Sequence, residues 1–325
     1  MTKRNIMLAK LLATILIFVA LSFKLDLDAM HESVQNVRLD LIVLLTLLFI
    51  LQTLFLSLRW RIIVNTGRGK ISFKKAVKVT FASLVGAYLF FGGIGGLLTR
   101  VWLTAKEEGI SLVFAVGASL IDRCMTLLAL VLLAAAFLPY GDIEVDTEVA
   151  LLFFLLFSGF AVALLFFLLV RKFSNFKIFN SNRQLKASLK YMLRLSENPW
   201  IVLSILIISV VAQCTYFIAT YFLINGTITE ISLIALLAVL PMIALVASLP
   251  ISIAGWGVRE GAFVYGLGII GISAENAFVI SLQIGFCSLL AAAIVGVPAW
   301  FITRQAEHKL VETLKGQEID VSEGS

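Results

Sequence analysis

The chain has 325 residues, 60% hydrophobic and only 14% charged, with mean hydropathy +1.02. Soluble domains carry about 25% charged residues, so this composition excludes a soluble fold and specifies an integral membrane protein. The net charge of +6 arises from clusters that flank apolar runs without interleaved aromatics, which excludes nucleic acid as partner and points to topology signals and anionic headgroups.

Residues 6–23 form the first apolar span, behind Lys3 and Arg4. The pattern imitates a secretory leader, but the many later spans favour an uncleaved first helix. A mixed segment, 24–40, leads to the second span at 40–58. A loop with Arg59, Arg61, Arg68, Lys70, Lys74, Lys75 and Lys78 follows. The apolar segment 76–99 is broken by Gly92-Gly93-Ile94-Gly95-Gly96 and ends at Arg100. The span 112–137 carries Asp122-Arg123 near its middle, and the acidic loop 139–148 follows it. The span 149–170 leads into a basic, partly amphipathic linker between Lys172 and Arg194, read as lying on the inner leaflet. After the span 200–223, Asn225-Gly226-Thr227 reads as a turn. The segment 230–272 is interrupted by Pro241, Pro250 and the run Gly255-Trp256-Gly257-Val258-Arg259-Glu260. The last span is 277–302. Runs of 18 or more apolar residues cross a ~30 Å hydrocarbon core as helices, and no ten-residue alternation of a membrane barrel is present.

Basic loops face the cytoplasm. If 76–99 crosses fully, the acidic loop 139–148 falls inside and the linker 171–194, with its seven bases, outside. If it enters and leaves on the cytoplasmic side, every basic cluster lies inside, and 230–272 enters and leaves from the opposite face. The expectation is therefore an all-α polytopic membrane protein: six full transmembrane helices plus two glycine-broken re-entrant hairpins in an inverted repeat. Eight full crossings are the alternative. One membrane domain covers residues 1–310, with half-repeats at about 1–138 and 149–303, both termini cytoplasmic and a disordered tail at 311–325.

Chemistry is sparse. Cys124, Cys214 and Cys287 all lie in apolar spans without metal-ligand spacing, and His31 and His308 are isolated. No metal, cofactor, nucleotide motif or catalytic set is expected, so an enzyme is not. Arg100 and Arg259 each follow a glycine run and are placed to open a half-helix, where free N–H groups, the helix dipole and a guanidinium together suit a phosphate. Snorkelling for Arg100, and a structural pair with Glu260 for Arg259, are the plainer readings. A charge at the position of Asp122 or Arg123 costs roughly 2.5–3.5 kcal/mol on insertion scales and requires a partner or water. Asp122 is expected to hold Arg100 or Arg259, with Arg123 facing the cavity. Glu260 is expected to balance charge or gate. Gly95, Gly96, Gly255 and Gly257 bring backbone close to a ligand, and Trp256 lines the cavity. Gln52, Gln213 and Gln283 read as interhelical hydrogen-bond partners. Trp60, Trp102, Trp200 and Trp300 read as interfacial anchors.

The stretch from Leu58-Arg59-Trp60 through the glycine run and Arg100 to Asp122-Arg123, with Leu249-Pro250-Ile251-Ser252-Ile253-Ala254-Gly255-Trp256-Gly257-Val258-Arg259-Glu260, resembles the lysylphosphatidylglycerol synthase transmembrane-region family. Ala254 stands where that family's signature commonly has glycine, and Phe90-Phe91 replaces a proline usual before the first glycine run. The resemblance covers about residues 6–305 and implies a stand-alone member without the soluble aminoacyl-transferase domain, and hence lipid translocation rather than lipid synthesis. The expected function is an inner-membrane flippase for an anionic phospholipid or lipid-linked glycan. The alternative is a non-transporting scaffold for a glycosyltransferase or lipid-modifying enzyme. A membrane-embedded transferase is weaker, since it needs a base or metal set and Asp122 and Glu260 alone do not make one.

Overall fold

The computed structural model describes residues 38–67, 69–89, 93–141, 198–227, 230–248 and 257–323. The predicted spans 6–23 and 149–170, the linker after the latter, Pro250, Gly255 and Trp256 lie outside the described residues. Eight helices run α1 (Leu39–Thr66), α2 (Phe73–Leu89), α3 (Gly93–Glu108), α4 (Leu112–Phe137), α5 (Pro199–Thr227), α6 (Leu233–Ala247), α7 (Val258–Gly268) and α8 (Ala274–Glu323), and there is no strand among the described residues. Among the described residues four stretches are long and apolar enough to cross a membrane: Leu39–Thr66, Leu112–Tyr140, Pro199–Thr227 and Ala274–Pro298. The chain is a multi-pass helical membrane protein.

The other four helices are short. At 1.5 Å rise per residue, α2, α3, α6 and α7 are roughly 26, 24, 22 and 16 Å long, each less than a ~30 Å hydrocarbon core. They form two antiparallel hairpins. In the first, Gly86 lies against Thr99 and Gly96 against Ser83 and Ala87; in the second, Gly266 lies against Ile243 and Val239.

The two halves repeat at the level of individual loops. Asn65 ends α1 by accepting from the Ile71 amide (2.7 Å) and donating to its carbonyl; 160 residues later Asn225 accepts from the Ile231 amide (2.6 Å). Gly109-Ile110-Ser111 and Gly271-Ile272-Ser273 precede α4 and α8. Each has its glycine at positive φ (+59° and +84°) and its serine Oγ capping the next helix, from Phe114 N and Asn276 N. The packing follows the same exchange: α2 touches α8 as α6 touches α4, and α1 touches α8 as α5 touches α4. The equivalent helices α1 and α5 pack on each other antiparallel, because Leu41 meets Gly226 at one end and Arg59 meets Ser209 towards the other.

Two apolar clusters fill opposite ends of this pair. One joins Leu41, Leu45 and Phe49 of α1 to α5, α6, α7 and α8. The other joins Trp60, Ile63 and Val64 of α1 to α2, α3 and α4. The α2–α3 hairpin thus packs at the C-terminal end of α1 and the α6–α7 hairpin at its N-terminal end.

Several sequence expectations need correction. Pro241 does not interrupt α6, which runs continuously from Leu233 to Ala247; in a helix already packed on both sides, one lost backbone bond is tolerated. Asn225-Gly226-Thr227 is the last turn of α5 rather than a separate turn, with Gly226 chosen for its approach to Leu41. Trp60 is wholly buried rather than interfacial, whereas Trp102 and Trp200 are exposed. The helical backbone of α8 continues to Glu323, over most of the tail expected to be disordered, because Leu, Glu, Lys and Gln there favour helix.

A methyl group at Gly96 would lie 2.8 Å from the Ser83 carbonyl oxygen, while one at Gly226 would meet only the flexible end of Leu41. Gly96→Ala is expected to destabilise by about 1–3 kcal/mol and Gly226→Ala by clearly less, read from unfolding midpoints in detergent.

Candidate functional site: a buried arginine cluster

Asp122 stands near the middle of α4 with its side chain 6% exposed. Its Oδ1 accepts from Arg59 Nε of α1 at 2.8 Å and its Oδ2 from Arg100 Nη1 of α3 at 2.6 Å. Arg59 donates onward from Nη1 to Ser209 Oγ of α5 (2.8 Å). Arg100 donates from Nε and Nη2 to Ser83 Oγ of α2 (3.3 and 3.2 Å), and its guanidinium lies 5.1 Å from the Trp60 ring centroid. Three helices therefore meet on one carboxylate, and its two arginines link it to two more.

The cluster is not electrically closed. Two guanidinium groups share one carboxylate, leaving a surplus positive charge where the dielectric is low and the charge interacts strongly. Its surroundings also hold buried donors with no partner: Trp60 Nε1, Thr104 Oγ1 and Ser119 Oγ. Thr104 is one turn beyond Arg100 on α3, and Ser119 one turn before Asp122 on α4. Unsatisfied buried donors are rare and costly. Surplus charge and spare donors in one place make an environment complementary to an anion.

The second glycine motif builds a different arrangement. Gly257, at φ +90°, precedes α7, and Glu260 accepts from the Gly257 amide through Oε2. Its Oε1 accepts from Arg259 Nη2 and Nε (2.6 and 3.0 Å) and lies 3.5 Å from Ser281 Oγ. The N-terminus of α7 is thus capped by the chain's own carboxylate. Gly285 makes room for the guanidinium: a methyl group there would lie 2.5 Å from Arg259 Nη2.

The structure joins Arg100 to Asp122, as the sequence suggests, but places the other expected residues apart. Arg259 pairs with Glu260 in its own network. Arg100 does not open a helix: α3 begins at Gly93, so Arg100 lies two turns inside, and Gly95 and Gly96 are buried within the helix. Gly96 serves the close approach of α2 rather than a ligand-facing turn. Arg123 is exposed on the outer side of α4. Sequence reasoning missed Arg59, Trp60, Ser83 and Ser209. The available signal was the i, i+4 register Leu45, Phe49, Thr53, Ser57, continued by Trp60 and Val64, which carries the packed face of α1 past the nominal span end. Among the described residues no group of His, Cys, Asp and Glu is arranged to hold a metal ion.

A polytopic helical membrane protein with a buried, net-cationic cluster between its repeats is the class defined by this geometry. The chain belongs to the family described as the lysylphosphatidylglycerol synthase TM region, whose model matches residues 6–296. No curated protein and no solved structure matches it.

Removing Asp122 leaves two buried guanidinium groups facing each other. Asp122→Ala is expected to cost about 3–5 kcal/mol, while Asp122→Ala combined with Arg59→Ala costs well below the sum of the single changes, because the double variant restores the original net charge. A double-mutant cycle of detergent unfolding measures this coupling.

Proposed function

We propose that this protein moves an anionic phospholipid or lipid-linked glycan between the leaflets of the cell (inner) membrane and is not an enzyme. The observation that carries the reading is the Arg59–Asp122–Arg100 cluster, with its surplus charge and spare donors at Trp60, Thr104 and Ser119. A phosphate fits both deficits: it supplies negative charge and up to three acceptor oxygens, and arginine grips it in a bidentate fork. Membership of a lipid-associated membrane family agrees with that substrate class.

In this reading the α2–α3 and α6–α7 hairpins are re-entrant and enter from opposite faces, the first from the cytoplasm. Their lengths and their packing at opposite ends of α1 support it, as does the basic loop that follows α1. Six full crossings and the two hairpins form an inverted repeat with both termini cytoplasmic, a recurrent transporter plan. Arg100 and Arg59 hold the headgroup and Asp122 keeps them apart and oriented. Arg259 and Glu260 form the corresponding element of the second half, with Gly257 setting the turn. Movement is passive or ion-coupled.

Single cysteines at Leu97 and Val258 in a cysteine-free background test the topology: thiol reagents are expected to reach Leu97→Cys from the cytoplasmic side and Val258→Cys from the other, whereas labelling of both from one face rejects the inverted hairpins. Transport is tested in vesicles containing a fluorescent anionic lipid, with external reduction counting the outer leaflet. Arg100→Gln and Arg59→Gln are expected to lower the rate at least ~10-fold with the helical spectrum unchanged, the scale of one lost charge-assisted contact of about 1.5–3 kcal/mol. If the wild-type protein moves no lipid and the basic loops alone carry its effect, it is a scaffold for a glycosyltransferase or lipid-modifying enzyme instead.

A further inference from the structure

Arg123 is an arginine in the wrong solvent. It lies near the middle of α4, about 16 Å from the helix start at Leu112 by the 1.5 Å rise per residue. Adjacent positions on a helix point about 100° apart, so while Asp122 faces the interior, Arg123 faces out. There it shares a stripe with exposed Val116, Leu120 and Cys124, a lipid-facing surface. The interface is farther away than its side chain can snorkel. A cation at this depth requires a counter-charge.

Among the described residues no carboxylate forms an ion pair with it; Asp122 attracts it only from a distance and is already held by two other arginines. Among the described residues the buried carboxylates are two, Asp122 within α4 and Glu260 in the first turn of α7. Both are buried, one held by Arg59 and Arg100 and the other by Arg259. The spans 6–23 and 149–170 contain no acid at all, so neither supplies a partner wherever it packs. A second copy of the chain has the same two carboxylates, equally enclosed, and cannot supply one either. No described carboxylate is left to supply the counter-charge, and lipid is the phase that this stripe faces.

We infer that Arg123 is a phosphate-docking residue on the lateral rim of the arginine cluster, holding the headgroup of an anionic phospholipid while its acyl chains lie along Val116 and Leu120. One residue along the same helix, Asp122 opens onto Arg100 and Arg59. The phosphate therefore passes from a lipid-facing guanidinium to two buried ones within one helical step, with its tails left in the bilayer. This inference rests on the translocation reading for how a phosphate reaches that depth, and a separate signal reads it.

Cys124 is the exposed neighbour that supplies the signal. With Cys214→Ala and Cys287→Ala, a fluorophore on Cys124 is the sole label, and the full chain is reconstituted into phosphatidylcholine vesicles containing acyl-brominated phosphatidylglycerol or acyl-brominated phosphatidylcholine. Brominated phosphatidylglycerol is expected to quench at about five-fold lower mole fraction than its zwitterionic counterpart, the enrichment typical of one basic residue near anionic lipid. Arg123→Gln is expected to erase this preference and Arg123→Lys to retain most of it. Arg123 is exposed, so the glutamine variant is not expected to unfold; its elution profile and helical spectrum check this. Equal quenching by both lipids in the wild type, or a preference that survives Arg123→Gln, overturns the inference, and the first result leaves a partner protein's carboxylate as the counter-charge. Flipping measured on the same vesicles separates the two ideas. A Cys124 preference without flipping rejects translocation and keeps the docking site. Flipping without a preference does the reverse.

Discussion

The Asp122 carboxylate is the constraint on which the arrangement of helices depends. It is enclosed between Arg59 and Arg100, and those arginines extend to Ser209 and Ser83, so α1, α2, α3, α4 and α5 are fixed by one connected set of charge-assisted hydrogen bonds. Outside water, such bonds are strong while they are complete and costly once one partner is missing. The apolar contacts around them are non-directional and would tolerate small slides of one helix along another. The cluster does not, and it therefore sets helix register as well as charge.

Around that cluster the repeat supplies geometry through a few loop residues. The Asn65 and Asn225 clasps hold each long helix to the hairpin that follows, and the Gly-Ile-Ser turns at 109–111 and 271–273 launch α4 and α8. Glycines at the helix contacts then decide how near the hairpin arms approach, as Gly96 does against the Ser83 carbonyl. Interhelical contact through small residues is the usual solution in membranes, where apolar burial does not distinguish protein from lipid. Turn chemistry and close packing, rather than hydrophobicity, individualise these helices.

Much of this was legible in the sequence and some was not, for identifiable reasons. Spans such as α1, α4 and α5 follow from unbroken apolar runs, and the pairing of Arg100 with Asp122 follows from the cost of isolated charges in lipid. Arg59 was invisible because it begins a run of bases, and the positive-inside rule explains the run without asking whether its first member is buried. Trp60 was misread for the same reason, its place near a span end matching that of an interfacial anchor. Glycine reads as a break and so points to a helix start at Arg100, whereas Gly95 and Gly96 lie inside α3. The repeat itself could have been found directly: Asn65 and Ile71-Ser72 recur as Asn225 and Ile231-Ser232, a fixed displacement that hydropathy alone does not resolve.

That displacement also shows what the two halves do not share. Carried across by the spacing of their own helices, Arg59, Ser83 and Asp122 correspond to Ala219, Ile243 and Ile284, and Ser209 corresponds to Phe49. All four counterparts are buried members of the apolar cluster at the opposite end. The described helices thus repeat in backbone but not in chemistry: these four positions are charged or polar in one half and apolar in the other, where the Arg259–Glu260 pair carries the buried charge instead. Backbone symmetry gives two equivalent packings of hairpin against long helix. The side chains remove that equivalence, since hydrated charge is favoured at the end with the basic loops and excluded at the other. On the translocation reading proposed above, a phosphate entering the bundle would meet the surplus charge of Arg59 and Arg100 at one end and an arginine already paired with Glu260 at the other. This asymmetry comes from a handful of polar substitutions in a core position, not from any difference in fold.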